Sequence, residues 1–164
     1  MNLKDEKFLS KILSAVLNLT IIFGILLTIG LVYTTFYKGK IEDFITNKGI
    51  IVILLIVGIG SLFYIVFQLR AVIKTLIVGD PFVKVNAIAF KKISIASLVI
   101  SICYLTNLFV NSNLKEFKFI YIDNMGIHTD MEVFIFLFAA AFIFILAKVF
   151  EKAVEFKEEN DLTI

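Results

Sequence analysis

Apolar and polar positions along this chain are sorted into long blocks rather than into short amphipathic repeats. No residue is charged over the 26 positions from Ile12 to Tyr37, the 21 from Gly49 to Leu69, or the 22 from Ile93 to Leu114. A fourth block, Val133 to Ala147, holds 15 uncharged residues and reaches Phe150 if Lys148 buries its stem and keeps its ammonium at an interface. Crossing the hydrocarbon of a bilayer takes about 20 apolar residues, with a range of roughly 17–25. The blocks predict four transmembrane helices, at about 12–37, 49–69, 93–114 and 132–150. The first is too long for the 7–15-residue apolar core of a cleaved signal peptide, so it reads as a permanent helix. The fold class expected is all-α: four transmembrane helices in an antiparallel bundle, forming a single membrane domain over residues 1–164.

The polar punctuation between the blocks is as informative. Past Arg70 the pattern Leu69, Val72, Ile73, Leu76, Ile77 keeps one helical face, so the second helix continues beyond its span. Gly79 then supplies a helix stop, Asp80 an N-cap, and Pro81, the only proline of the chain, a first helical residue. The stretch "GDPF" therefore predicts a tight turn inside a helical hairpin over residues 70–92. At the far end, Thr129 and Glu132 fit a capping box opening the fourth helix. After Lys148 the segment "VFEKAVEFKEEN" continues as a helical stalk into a tail over 151–164. Phe117, Phe119 and Tyr121 alternate with Lys118, Ile120 and Ile122, and "DNMG" follows, which predicts a small β-ribbon before the fourth helix.

Composition and charge add orientation. The chain is 60% hydrophobic with a mean hydropathy of +0.97, against about 45–50% apolar residues in a soluble domain. Its net charge is only +2, so direct nucleic-acid binding is not expected. Four spans put both termini and the 70–92 hairpin on one side, with 11 of the 16 basic residues. The positive-inside rule then places both termini in the cytoplasm. The single Cys103 lies within a span and reads as packing.

Catalytic chemistry is sparse. The one histidine, His128, has Asp123, Asp130 and Glu132 nearby, but the spacing matches no metal-ligand motif. Neither a phosphate loop nor a nucleophile elbow is present. No enzyme activity, cofactor or metal is expected. The four blocks carry no Asp, Glu, Lys, Arg or His, unlike a proton relay or ion pathway. Thr20, Gly24 and Thr28, the pair Ser97 and Ser101, and Gly58 with Gly60 read as surfaces where helices approach closely.

The residues "GDPF" with Asn86 and the basic pair Lys91 and Lys92, the stalk "KVFEKAVEFKEEN" and the chain end "ENDLTI" together resemble the YoaS-like bacterial four-pass membrane proteins (domain of unknown function 2975). The resemblance runs over nearly the whole chain. It implies an integral protein of the plasma membrane without a known cofactor, whose relatives are often encoded beside a small helix-turn-helix regulator of the Cro repressor type. Two functions follow as expectations. The first is a membrane-anchored interaction protein that docks such a regulator through Gly79, Asp80, Pro81, Phe82 and Asn86 together with Glu159, Asp161, Leu162, Thr163 and Ile164. Its other partner is the lipid bilayer itself. The second is a small transporter or immunity-type protein acting within the bilayer through polar residues such as Asn18, Ser97 and Asn107.

Overall fold

The computed structural model describes residues 3–38, 48–111, 119–123 and 126–161. Four long helices run in chain order: α1 (Leu3–Lys38), α2 (Lys48–Val78), α3 (Lys84–Asn111) and α4 (Glu132–Asp161). Between α3 and α4 sits a two-stranded antiparallel ribbon, β1 (Tyr121–Asp123) and β2 (Gly126–His128), with Tyr121 opposite His128 and Asp123 opposite Gly126. Among the described residues the fold is thus all-helical apart from this ribbon, which the alternation before "DNMG" had indicated.

All four helices contain a stretch long and apolar enough to cross a membrane: Lys11–Gly30, Gly49–Ile77, Lys84–Val110 and Glu132–Asp161. Most of their large apolar side chains are exposed, Phe138 at 70% and Phe142 at 67% among them. In water such a surface would be untenable, but lipid tails are as apolar as these side chains. At 1.5 Å per residue, the 31 residues of α2 extend to about 46 Å, more than the roughly 30 Å of hydrocarbon, so the helices project beyond a bilayer.

Neighbours in sequence are neighbours in space: α1 packs on α2, α2 on α3, and α3 on α4. Burial concentrates on α3, where Ala89, Ile93, Ala96 and Ile100 form one buried row and Ser94, Ser97 and Ser101 lie beside it. Across from it, α4 buries Ala140, Ala147 and Val154 at seven-residue intervals. Small side chains at this spacing let two backbones approach closely. Ser94 Oγ donates to the Ala140 carbonyl at 2.8 Å and Ser101 Oγ to the Val133 carbonyl at 2.9 Å. The reversed order of these two partners fixes α3 and α4 as antiparallel.

Three local expectations change. α3 opens at Lys84, not at Pro81, because residues 80–83 complete the turn and the Asp80 carboxylate is engaged elsewhere. Met131, not Thr129, caps α4, since the Phe134 and Ile135 amides donate to the Met131 carbonyl. Thr129 stands just outside the helix, accepting from the Met131 amide and donating to the Phe119 carbonyl at 2.6 Å, which ties the ribbon to the start of α4. Glu132 then sits in the first turn, where the helix dipole favours a carboxylate. Finally, of the three glycines read as close-packing, Gly24 alone serves it: a Cβ there would lie 3.0 Å from the Phe63 ring, whereas one at Gly58 or Gly60 would meet open space.

The interhelical serine bonds yield a test. Such bonds average about 0.6 kcal/mol in membrane proteins, so Ser94→Ala with Ser101→Ala should lower stability by about 1 kcal/mol. Reversible unfolding in mild detergent would show this as an earlier midpoint with helix content intact. Thr106→Ala, whose hydroxyl bonds only its own helix at Ile102, should leave the midpoint unmoved.

Candidate functional site

The polar chemistry of the described residues gathers where the α2–α3 turn meets the far end of α4. The turn is built by the sequence in a stepwise way. Gly79 adopts φ 87°, a left-handed conformation that costs glycine little and any other residue more. Its amide donates to the Leu76 carbonyl at 3.1 Å and the Asp80 amide to the Thr75 carbonyl at 3.2 Å. This pair of bonds is the Schellman closure of a helix, and it satisfies carbonyls that the end of α2 would leave bare. Pro81, with no amide to satisfy, follows two residues later and prevents α2 from resuming.

Asn86 locks the turn. Its residue is 1% exposed, the most buried polar side chain of the described residues. Nδ2 donates to Thr75 Oγ1 and to the Pro81 carbonyl, both at 2.7 Å, and the Thr75 hydroxyl passes its own proton to the Val72 carbonyl at 2.7 Å. One amide group thereby holds the last turn of α2, the proline and the first turn of α3 together. Of the residues proposed from sequence for docking, Asn86 is therefore committed inside the hairpin.

The hairpin is in turn clasped to the stalk of α4. Lys157 Nζ reaches both oxygens of Asp80, at 2.7 and 2.8 Å, and Lys84 Nζ reaches Glu158 at 2.9 Å. All four groups are partly exposed, so each pair contributes at most about 1 kcal/mol, and their value lies in fixing register. Phe150 packs at a tilt against both Phe82, ring centroids 5.6 Å apart, and Phe90 at 4.9 Å. Such contacts contribute about 0.5–1.5 kcal/mol each beyond their buried area.

Together these contacts make one composite surface of the hairpin and the stalk. On it a shallow groove of about 440 Å³ runs between Phe82, Ala153, Phe156, Lys157, Asn160 and Asp161. Phe82 and Phe156 are 46% and 64% exposed there. So the structure brings Asp80, Pro81, Phe82 and Asp161 to the same end of the molecule, with Glu159 exposed on the last turn of α4. Leu162, Thr163 and Ile164 lie outside the described residues, as do the side chains of Asp123 and His128.

Sequence reasoning missed Lys157 and Phe150 as the hairpin's partners. Asp80 and Lys157 are 77 residues apart, and nothing local signals that they meet. A second feature is a basic belt: α2 and α3 carry Arg70, Lys74, Lys91 and Lys92 and no acidic residue. Among the described residues, Arg70, Lys74 and Lys92 have no ion-pair partner.

Asn86 is the residue whose loss should be felt most. Asn86→Ala would strand the Pro81 carbonyl, open a void and cost about 2–3 kcal/mol. Asn86→Asp should do comparable damage despite its shape, because a carboxylate cannot donate to the Pro81 carbonyl. Both are measured by unfolding in detergent; an Asn86→Asp protein as stable as the parent would refute the assignment.

No curated protein and no solved structure matches the chain at a significant level. A family match does cover α2, α3, the ribbon and α4, beginning at residue 50 and so leaving α1 outside it. The matched stretch contains the whole of the turn, the buried asparagine and the clasped stalk. By that match over residues 50–164, the chain belongs to the family described as "Protein of unknown function (DUF2975)".

Proposed function

We propose that the protein is a membrane-anchored interaction protein whose hairpin and stalk form a docking surface on the cytoplasmic side of the plasma membrane. The observation that carries this reading is the clasp. Asp80–Lys157 and Lys84–Glu158 join two elements far apart in sequence into one surface outside the apolar blocks, and that surface leaves Phe82 and Phe156 uncovered. Exposed aromatics around a shallow groove are a usual anchor for a protein partner. The asymmetry of the basic residues supports the cytoplasmic side. The partner that fits is a small helix-turn-helix regulator, as the family resemblance implied, held at the membrane or released from it.

The bilayer-embedded alternative has less support. Two of the three buried serines of α3 spend their protons on α4 carbonyls, and Thr20 and Thr28 donate within α1. The two serine hydroxyls are spent on helix packing and the two threonine hydroxyls on their own helix, rather than on lining a pathway.

The test is co-purification from mild detergent of three forms: the full chain, a chain lacking residues 155–164, and Phe156→Ser. A small helix-turn-helix protein should accompany the full chain, be absent from the truncation, and be retained at least tenfold less by Phe156→Ser, the effect of losing about 1.4 kcal/mol at an aromatic anchor. All three should remain in the membrane fraction. Absence of a stoichiometric partner from the full chain, or equal retention by all three, refutes the docking reading.

A further inference from the structure

A second groove lies on the faces of α2 and α3, away from the docking surface. Val57, Gly60, Ser61 and Tyr64 of α2 line one wall, and Lys92, Ile95, Ala96 and Val99 of α3 the other, around a space of about 360 Å³. Each wall follows the same helical spacing of three, four and seven residues, so the groove runs along the helices rather than across them. Its floor is open at Gly60, where a Cβ would meet nothing within 4 Å. The small residues here therefore do not serve close contact between α2 and α3; they leave room. The apolar end of the groove lies within two blocks long and apolar enough to cross a membrane. Its polar end carries the Lys92 ammonium and the Tyr64 phenol, where the uncharged block of α3 begins at Ile93.

From this geometry we infer that the groove is a binding site for an anionic phospholipid. An acyl chain lies along Gly60 and Ala96, and the phosphate sits at Lys92 with the Tyr64 hydroxyl as a donor. Three observations select this occupant. A groove opening sideways from two apolar helices is filled from the bilayer, and an acyl chain matches Val57, Ile95 and Val99. Lys92 has no ion-pair partner among the described residues, while Lys84, Lys148 and Lys157 all have one. The third concerns the headgroup. Neither α2 nor α3 contains an acidic residue, and the basic residues past the span include Arg70 and Lys74, so nothing there would welcome the ammonium of a zwitterionic lipid. A net negative headgroup is favoured by about 1 kcal/mol per basic residue near the surface. The Ser61 hydroxyl is already donated to the Val57 carbonyl at 2.8 Å, so it offers only acceptor capacity. This inference depends on the membrane reading alone and not on docking of a protein partner.

The experiment is native mass spectrometry of the full chain from mild detergent, with dioleoyl phosphatidylglycerol or dioleoyl phosphatidylcholine added as probe. One phosphatidylglycerol should be retained in preference to phosphatidylcholine. Gly60→Leu, whose side chain would enter open space, should keep the helix content of the parent and lose the bound lipid. Lys92→Gln should still bind but lose about fivefold of the preference for phosphatidylglycerol, the weight of one lysine at a charged interface. Lys152→Gln, on the stalk, should change neither. Undiminished retention by Gly60→Leu would overturn the site. So would a Lys152→Gln loss as large as that of Lys92→Gln, which would mean general charge attraction. Displacement of the lipid by free glycerol 3-phosphate would overturn it too, by showing a soluble phosphate site instead.

Discussion

The arrangement of this protein depends on one buried amide. Helices in a bilayer satisfy their own backbones and gain little hydrophobic energy from touching each other, so their relative placement must come from polar contacts and from the connections. Asn86 supplies both at once. By bonding Thr75 on α2 and the Pro81 carbonyl in the turn, it fixes the angle at which α3 leaves α2. That angle presents Asp80, Phe82 and Lys84 to the stalk, where Lys157, Phe150 and Glu158 meet them. With an apolar residue in place of Asn86, the ion pairs and the aromatic contacts would have no fixed frame, because none of them is strong enough to impose one.

The α3–α4 seam extends the same logic along the spans. Ala140, Ala147 and Val154 bring the backbones close, and Ser94 and Ser101 then bond carbonyls that α4 already uses within itself. Ser101 meets α4 at Val133, in its first turn, whereas α3 continues for ten residues more, about 15 Å at the usual rise. An apolar groove of about 220 Å³ remains beside that overhang, among Gly58, Ile100, Cys103, Tyr104, Asn107 and Phe136.

Much of this was legible in the sequence, for identifiable reasons. Uncharged blocks of span length are a strong signal, since a bilayer tolerates few alternatives to a helix. Gly79 and Pro81 punctuate the chain, and they fix the turn without any tertiary information. The details that failed did so where a side chain had a better partner than the local one. Asp80 has the shape of an N-cap, but Lys157 claims its carboxylate. Thr129 fits a capping box, but its hydroxyl is drawn to the Phe119 carbonyl and the helix starts at Glu132. Gly58 and Gly60 look like close-packing glycines, and only coordinates could show open space above them. The hairpin and the tail were expected to share a surface, but the contacts that join them were not legible, because Asp80 and Lys157 lie 77 positions apart.

The basic residues are where these levels meet. On the stalk side, Lys84, Lys148 and Lys157 each lie within 3 Å of a carboxylate, at 2.9, 2.7 and 2.7 Å, so their charge is spent within the protein. Along α2 and α3, Arg70, Lys74 and Lys92 have no such partner among the described residues. A charge left unpaired where an apolar block ends is solvated by water and is further favoured beside an anionic lipid surface. The basic residues therefore divide into two groups, one paired within the protein and one without such a partner among the described residues. Under the proposed function, one set would hold the docking surface in register, and the other would hold that surface against the membrane. A partner bound at Phe82 and Phe156 would consequently meet a platform whose shape is set by the protein and whose distance from the bilayer is set by lipid.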